Sequence, residues 1–125
     1  LSPDMVIIRG DRYEILGPAI AAAFLNIPIY LIGNISQTLE ILKKEGFWVV
    51  GVENSIEASN WCDIDLSGKI VLIFGSEGKG IRQSTLKKCD FIITIPMLGK
   101  INSLNISASV SAILFERNRQ LLNSK

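Results

Sequence analysis

Five apolar residues in a row, Ile70-Val71-Leu72-Ile73-Phe74, run straight into a turn holding three glycines, Gly75, Gly78 and Gly80. An apolar run of this length without alternation marks a strand covered on both faces, and such strands belong to parallel sheets flanked by helices. Glycines at the end of such a strand let the chain turn sharply and bring its backbone close to a ligand. The rest of the chain repeats the theme. Residues 5–8, 27–32, 47–52 and 91–95 read as further strands. Residues 37–44 read as a helix with Ser36 as N-cap and Gly46 as its stop, and residues 81–88 as a second. Residues 103–122 form a long third helix whose apolar face is Ile106, Val110, Ile113 and Leu114. This alternation predicts one α/β domain over residues 1–125, a mostly parallel sheet with helices on both faces.

Composition narrows the function. The 125 residues are 48% hydrophobic and 20% charged, which suits a packed domain and excludes a disordered tail. The richest apolar stretch, residues 17–33, is broken by Pro18, Asn26 and Pro28. A spanning helix needs ~20 predominantly apolar residues, so no membrane association is expected. Two cysteines, Cys62 and Cys89, and no signal-peptide pattern point to a reducing, cytoplasmic setting. Histidine is absent, which removes Ser-His and Cys-His nucleophiles and His-ligated metals, so no metal is expected. The net charge of +1 hides a gradient. Residues 1–68 carry four basic and nine acidic side chains, and residues 69–125 carry nine basic and three acidic. A basic half is the footprint of a polyanion such as RNA, and equally the pattern of charges spread unevenly over a solvated surface.

Two segments could carry chemistry. The first is the glycine turn of residues 75–80. It is not a P-loop, because Ile81 and Arg82 follow Gly80 where Lys and Ser or Thr are required. It is not a dinucleotide fingerprint either, because Gln83 stands where the third glycine belongs. A glycine turn can simply bend the chain, but Glu77 places a carboxylate inside this one, where it can meet a ligand. The second segment is Ile95-Pro96-Met97-Leu98-Gly99-Lys100-Ile101-Asn102-Ser103-Leu104-Asn105-Ile106-Ser107, between a strand and the last helix. Its four small polar residues, Asn102, Ser103, Asn105 and Ser107, exceed what one N-cap needs, though an elaborate cap would also use them. Both segments follow strand ends and so lie at one edge of a parallel sheet. One pocket could draw on both.

Together these segments resemble motifs 2 and 3 of the SpoU (TrmH-like) ribose 2′-O-methyltransferases, and the similarity runs from about residue 5 to residue 122. The resemblance implies a knotted SPOUT fold with a C-terminal trefoil knot, S-adenosylmethionine as cofactor, a homodimer, and RNA as substrate. It is greatest to the branch that modifies a guanosine of 23S-type rRNA, with tRNA enzymes close behind. It implies cofactor-binding roles for Gly75, Gly78, Ile95, Met97, Gly99 and Leu104. It implies catalytic roles for Glu77, which matches the motif 2 glutamate, and for Ser103 and Asn105, which match the motif 3 polar pair near the ribose. Motif 1, an Asn followed by Gly and an Arg that helps deprotonate the 2′-hydroxyl, has no counterpart in residues 1–22; Arg9 and Arg12 follow the strand that should follow it. Ala21-Ala22-Ala23 also departs from the family's usual Ser/Gly-Ala turn. The chain opens on Leu1 rather than Met, which favours a domain lacking its N-terminal strand and helix over a catalytically degenerate RNA-binding homologue.

Overall fold

The order of the strands decides where a site can form. The computed structural model describes residues 6–8, 29–31, 34–55, 57–76, 79–100 and 105–124. Strands β1 (Val6–Ile8) and β2 (Ile29–Leu31) form a parallel pair. Helix α1 (Ile35–Lys44) leads to β3 (Trp48–Val52), then to the short β4 (Ser59–Asn60) and a 3-10 turn (Trp61–Asp63). Strand β5 (Ile70–Phe74), helix α2 (Gln83–Leu86), strand β6 (Phe91–Thr94) and helix α3 (Ile106–Asn123) follow. The four strands β3 to β6 make one sheet in the order β4-β6-β3-β5, with every pairing parallel. The expected parallel α/β architecture is present. Among the described residues no helix is long and apolar enough to cross a membrane.

The helix ends differ from the expected boundaries for local reasons. Asn34, not Ser36, caps α1: its Oδ1 accepts the Gln37 N–H at 3.1 Å. A cap must sit outside the first turn to reach an orphan N–H, and Ser36 is already inside it. At the other end Gly46 adopts φ +88°, the Gly46 N–H bonds Lys43 O, and the Phe47 N–H bonds Leu42 O at 3.0 Å. This is the Schellman arrangement, and it turns the chain directly into β3. Helix α2 is much shorter than residues 81–88. Ile81 is only 6% exposed and anchors in the core, while Arg82 is the extended N-cap residue, so the helix starts at Gln83. Helix α3 begins after Asn105, whose Oδ1 accepts the Ala108 N–H at 2.8 Å.

Alternation along β3 divides the core between the two faces of the sheet. Val49 points to one side, where it packs with Leu39 of α1, Ile73 of β5 and Ile81. Val50 points to the other, against Leu66, Ile93 of β6 and Ile113 of α3. Strand β5 serves both clusters, Val71 and Ile73 on one face and Ile70, Leu72 and Phe74 on the other. Its unbroken apolar run is explained by this two-sided duty. Because β5 lies at the sheet's edge, most of its side chains are half-buried rather than fully covered.

A polar tie fixes α3 to the loop before β5. Gln120 Oε1 accepts the Leu66 N–H at 2.7 Å, and its Nε2 donates to Ile64 O at 3.0 Å and to Glu116 Oε1 at 2.9 Å. Arg119 closes the arrangement with two bonds of 2.8 Å to the buried Glu116 carboxylate. The Arg119 hydrogen bonds and, less strongly, the Gln120 amide hold the Glu116 pKa below its ordinary value, against the opposing pull of burial. A carboxylate with a depressed folded pKa stabilises the fold above its unfolded pKa, and that contribution is lost as pH falls through the folded value. Urea unfolding should therefore show stability declining once the pH drops below the ordinary carboxylate value of 4.5. Glu116→Gln should be less stable than the parent at pH 7 but lose less between pH 7 and pH 3. Parallel declines in the two proteins would remove Glu116 as a source of the acid sensitivity.

Candidate active site

Parallel pairing gathers the carboxyl ends of β3, β5 and β6 at one edge, and the register shows how. Val52 of β3 lies opposite Phe74 of β5 on one side and Ile93 of β6 on the other. The chain thus passes from β5 on one flank of β3 to β6 on the other, the kind of reversal at whose carboxyl edge α/β sheets bind ligands. The glycine turn leaves β5 and the segment from Ile95 leaves β6, with the end of β3 between them. At the usual strand spacing the two exits stand ~10 Å apart.

The glycine turn is closed by its own backbone. The Gly80 N–H donates to Ser76 O at 2.9 Å, and the two residues form an isolated antiparallel bridge. A Cβ on Gly75 would run into the backbone of Gly80 and Ile81, so this glycine is required for the turn itself. A side chain at Gly75 would therefore meet the turn itself before it met any ligand. Gly80 has φ +67°, and a Cβ there would strike Glu53 Oε1.

Glu53, the residue after β3, was missed by motif reasoning. Its Oε1 accepts the Ile81 N–H at 2.8 Å, and its own N–H donates to Ile93 O at 2.9 Å. One residue therefore links the end of the glycine turn to β6. Next to it, Asn54 Oδ1 accepts the Thr94 hydroxyl at 3.5 Å. The available signal was position alone, an acidic residue directly after a buried strand.

On the β6 side, Ile95 and Met97 are half-buried, Ile95 against the α3-side core, whereas Leu98, Gly99 and Lys100 are exposed. Among the described residues, none stands within 4 Å of a Cβ added at Gly99. Asn105 stands at the N-terminus of α3 with its Oδ1 committed to the Ala108 N–H. Glu77, Gly78, Ser103 and Leu104 lie outside the described residues, as do Arg9, Arg12 and Ala21 to Ala23. Burial pushes the half-buried Cys89 thiol pKa up, away from the thiolate that nucleophilic catalysis needs. Among the described residues no three His, Cys, Asp or Glu side chains converge as a metal site would require.

Residues 6–115 match the model of the SpoU rRNA Methylase family. The chain belongs to this family. It is 39% identical over 119 residues to the 23S rRNA (guanosine-2′-O-)-methyltransferase RlmB of Pseudomonas putida, covering 92% of this chain and 48% of that protein. Among solved structures, the TrmH/SpoU tRNA modifying enzyme of A. aeolicus superposes with a TM-score of 0.81 at 27% identity, over 95% of this chain and 63% of that one. An AdoMet-bound rRNA methyltransferase from Sinorhizobium meliloti shares the fold, with a TM-score of 0.79 at 24% identity over 94% of this chain and 46% of that one. The chain spans about half the length of the curated relatives it matches. The SpoU fold thus holds the glycine turn and the segment after β6 at one edge in this chain.

The two left-handed glycines among the described residues give a test of the turn. Gly46 and Gly80 both carry positive φ, but only Gly80 has a neighbour within reach of a Cβ. Gly46→Ala should cost about 1–2 kcal/mol from handedness alone. Gly80→Ala should cost more, because Glu53 must also move. Urea unfolding of both variants measures the difference, and equal losses would show that Glu53 does not crowd Gly80.

Proposed function

We propose that this chain is the cofactor-binding domain of an S-adenosylmethionine-dependent RNA methyltransferase acting on a ribose 2′-oxygen, that of a guanosine in 23S-type rRNA. The observation that carries the reading is that the glycine turn and the Ile95–Gly99 segment leave β5 and β6 at one sheet edge, on either side of β3, in a chain 39% identical to a 23S rRNA guanosine methyltransferase. The likeness to a tRNA modifying enzyme supports tRNA as the second reading. A catalytically degenerate RNA-binding homologue is the third. The C-terminal knot and the cytoplasmic setting belong to the same proposal.

The described residues fit the cofactor. The turn offers backbone groups with no side chain at Gly75 or Gly80, and Ile95 and Met97 are half-buried apolar residues at the exit of β6 on the same sheet edge. When bound, S-adenosylmethionine supplies a methyl group already activated by its sulfonium. The protein's part is orientation, with Glu77, Ser103 and Asn105 placing the ribose hydroxyl in line, and Gly78 and Leu104 joining the cofactor loops. The 2′-hydroxyl must also lose its proton, and no residue matching the motif 1 Arg stands among the 125.

Because no described residue crowds a side chain at Gly99, Gly99→Val should fold like the parent. It should weaken S-adenosylmethionine binding by about tenfold or more if the cofactor occupies that space. Calorimetry with unchanged affinity would remove this pocket. In a tritiated methyl-transfer assay on rRNA and tRNA, the 125 residues alone should be ~10²–10⁴-fold slower than a form carrying motif 1 ahead of Leu1. Equal activity would place the base within the 125.

The homodimer is part of the proposal, and α3 supplies its contact. Ala108, Ala112, Phe115 and Leu122 form one stripe, on which Phe115 is 75% and Leu122 59% exposed. Light scattering should give a dimer for the parent and a monomer for Phe115→Glu. A monomeric parent at micromolar concentration would count against the interface.

A further inference from the structure

Glu53 bonds to the residue that ends the glycine turn from outside the turn. Its Oε1 accepts the Ile81 N–H at 2.8 Å, and it occupies the space a side chain on Gly80 would need. The neighbouring turn amide, that of Gly80, is already taken by Ser76 O. Ile81 itself is fixed from the other side, its side chain buried with Leu39, Val49 and Ile73. Its amide therefore sits against the core, where leaving it without an acceptor is costly. Glu53 meets that need from the end of the strand that runs between the two cofactor segments, while its own N–H holds Ile93 O of β6.

We propose that Glu53 is a positioning residue of the cofactor pocket: by accepting the Ile81 N–H from the end of β3, its carboxylate fixes Gly80 and Ile81, the closing end of the turn that S-adenosylmethionine meets. The inference rests on the cofactor reading above. An acceptor at this distance is what the role needs, so a carboxamide oxygen can replace the carboxylate, whereas a shorter or apolar side chain cannot.

The test uses the 125-residue chain and two measurements, amide exchange at Ile81 without cofactor and calorimetric titration with S-adenosylmethionine well below each variant's unfolding midpoint. Glu53→Ala should speed Ile81 exchange and weaken binding, each by about tenfold, and Glu53→Gln should return both to within about threefold of the parent. If Glu53→Ala does not fold, Glu53→Asp keeps the charge but shortens the reach, and should show the same two shifts. Faster exchange with unchanged affinity would overturn the proposal while leaving the pocket intact. Weakened binding in Glu53→Gln equal to that in Glu53→Ala would overturn it as well, because the hydrogen bond would then not be the cause. A parent chain that binds no S-adenosylmethionine would remove the pocket reading, and this proposal with it.

Discussion

The fold depends on β3 being held at both ends by carboxylates from outside the strand or just beyond it. At its amino end Asp90 Oδ2 accepts the Val49 N–H at 2.8 Å, the Asp90 N–H donates to Val49 O at 2.7 Å, and Asp90 Oδ1 meets Lys43 of α1 at 3.2 Å. At its carboxyl end Glu53 reaches the glycine turn after β5 and bonds to β6. Lys43 and Asp90 are both partly exposed, so their ion pair contributes little by itself. The hydrogen bonds to backbone matter more. They fix the register of β6 and β5 against β3, and parallel pairing then delivers both loops to one edge.

The same strand shows how tightly the connections are packed. A Cβ on Gly51 would stand 3.0 Å from Cys89 Sγ and 3.3 Å from Ile81 Cδ1. The chain between β5 and β6 therefore lies directly on the middle of β3, with Ile81 and Cys89 filling the place a larger residue would take. Close packing of this kind tolerates little added volume. Ile81 consequently has three constraints at once: a buried side chain, an amide held by Glu53, and a glycine at position 51 beneath it. That conjunction ends the glycine turn at a fixed point and delays α2 until Gln83.

Periodicity and apolar runs made the strands legible, because burial on two faces leaves a mark in composition. Ile70–Phe74 matched residue for residue, and β3 and β6 differed from expectation by one residue at an end. Caps were less legible. Ser36 and Asn34 are both good cap residues two positions apart, and only the geometry of the Gln37 N–H separates them. The buried Glu116 was not legible at all, since on a helical pattern it reads as solvated surface; its burial depends on Arg119 and on Gln120, itself tied to a distant loop. Glu53 escaped for the same reason. Motifs describe neighbours in the chain, and its partner Ile81 is 28 residues away.

The polar cluster before α3 posed a choice between a helix cap and a ligand site, and Asn105 suggests that the two are one arrangement. Its Oδ1 fixes the first turn of α3 through Ala108, and α3 is in turn fixed to the sheet by Ile113 and to the Ile64–Leu66 segment by Gln120. A side chain that must present a group to a ribose needs a backbone that does not shift, and loops attached to rigid elements supply that. Capping ties Asn105 to the rigid start of α3, so on the proposed reading its position is set by the core. On this view the loss of its cap would disturb the site through the helix start, even where the fold as a whole survives.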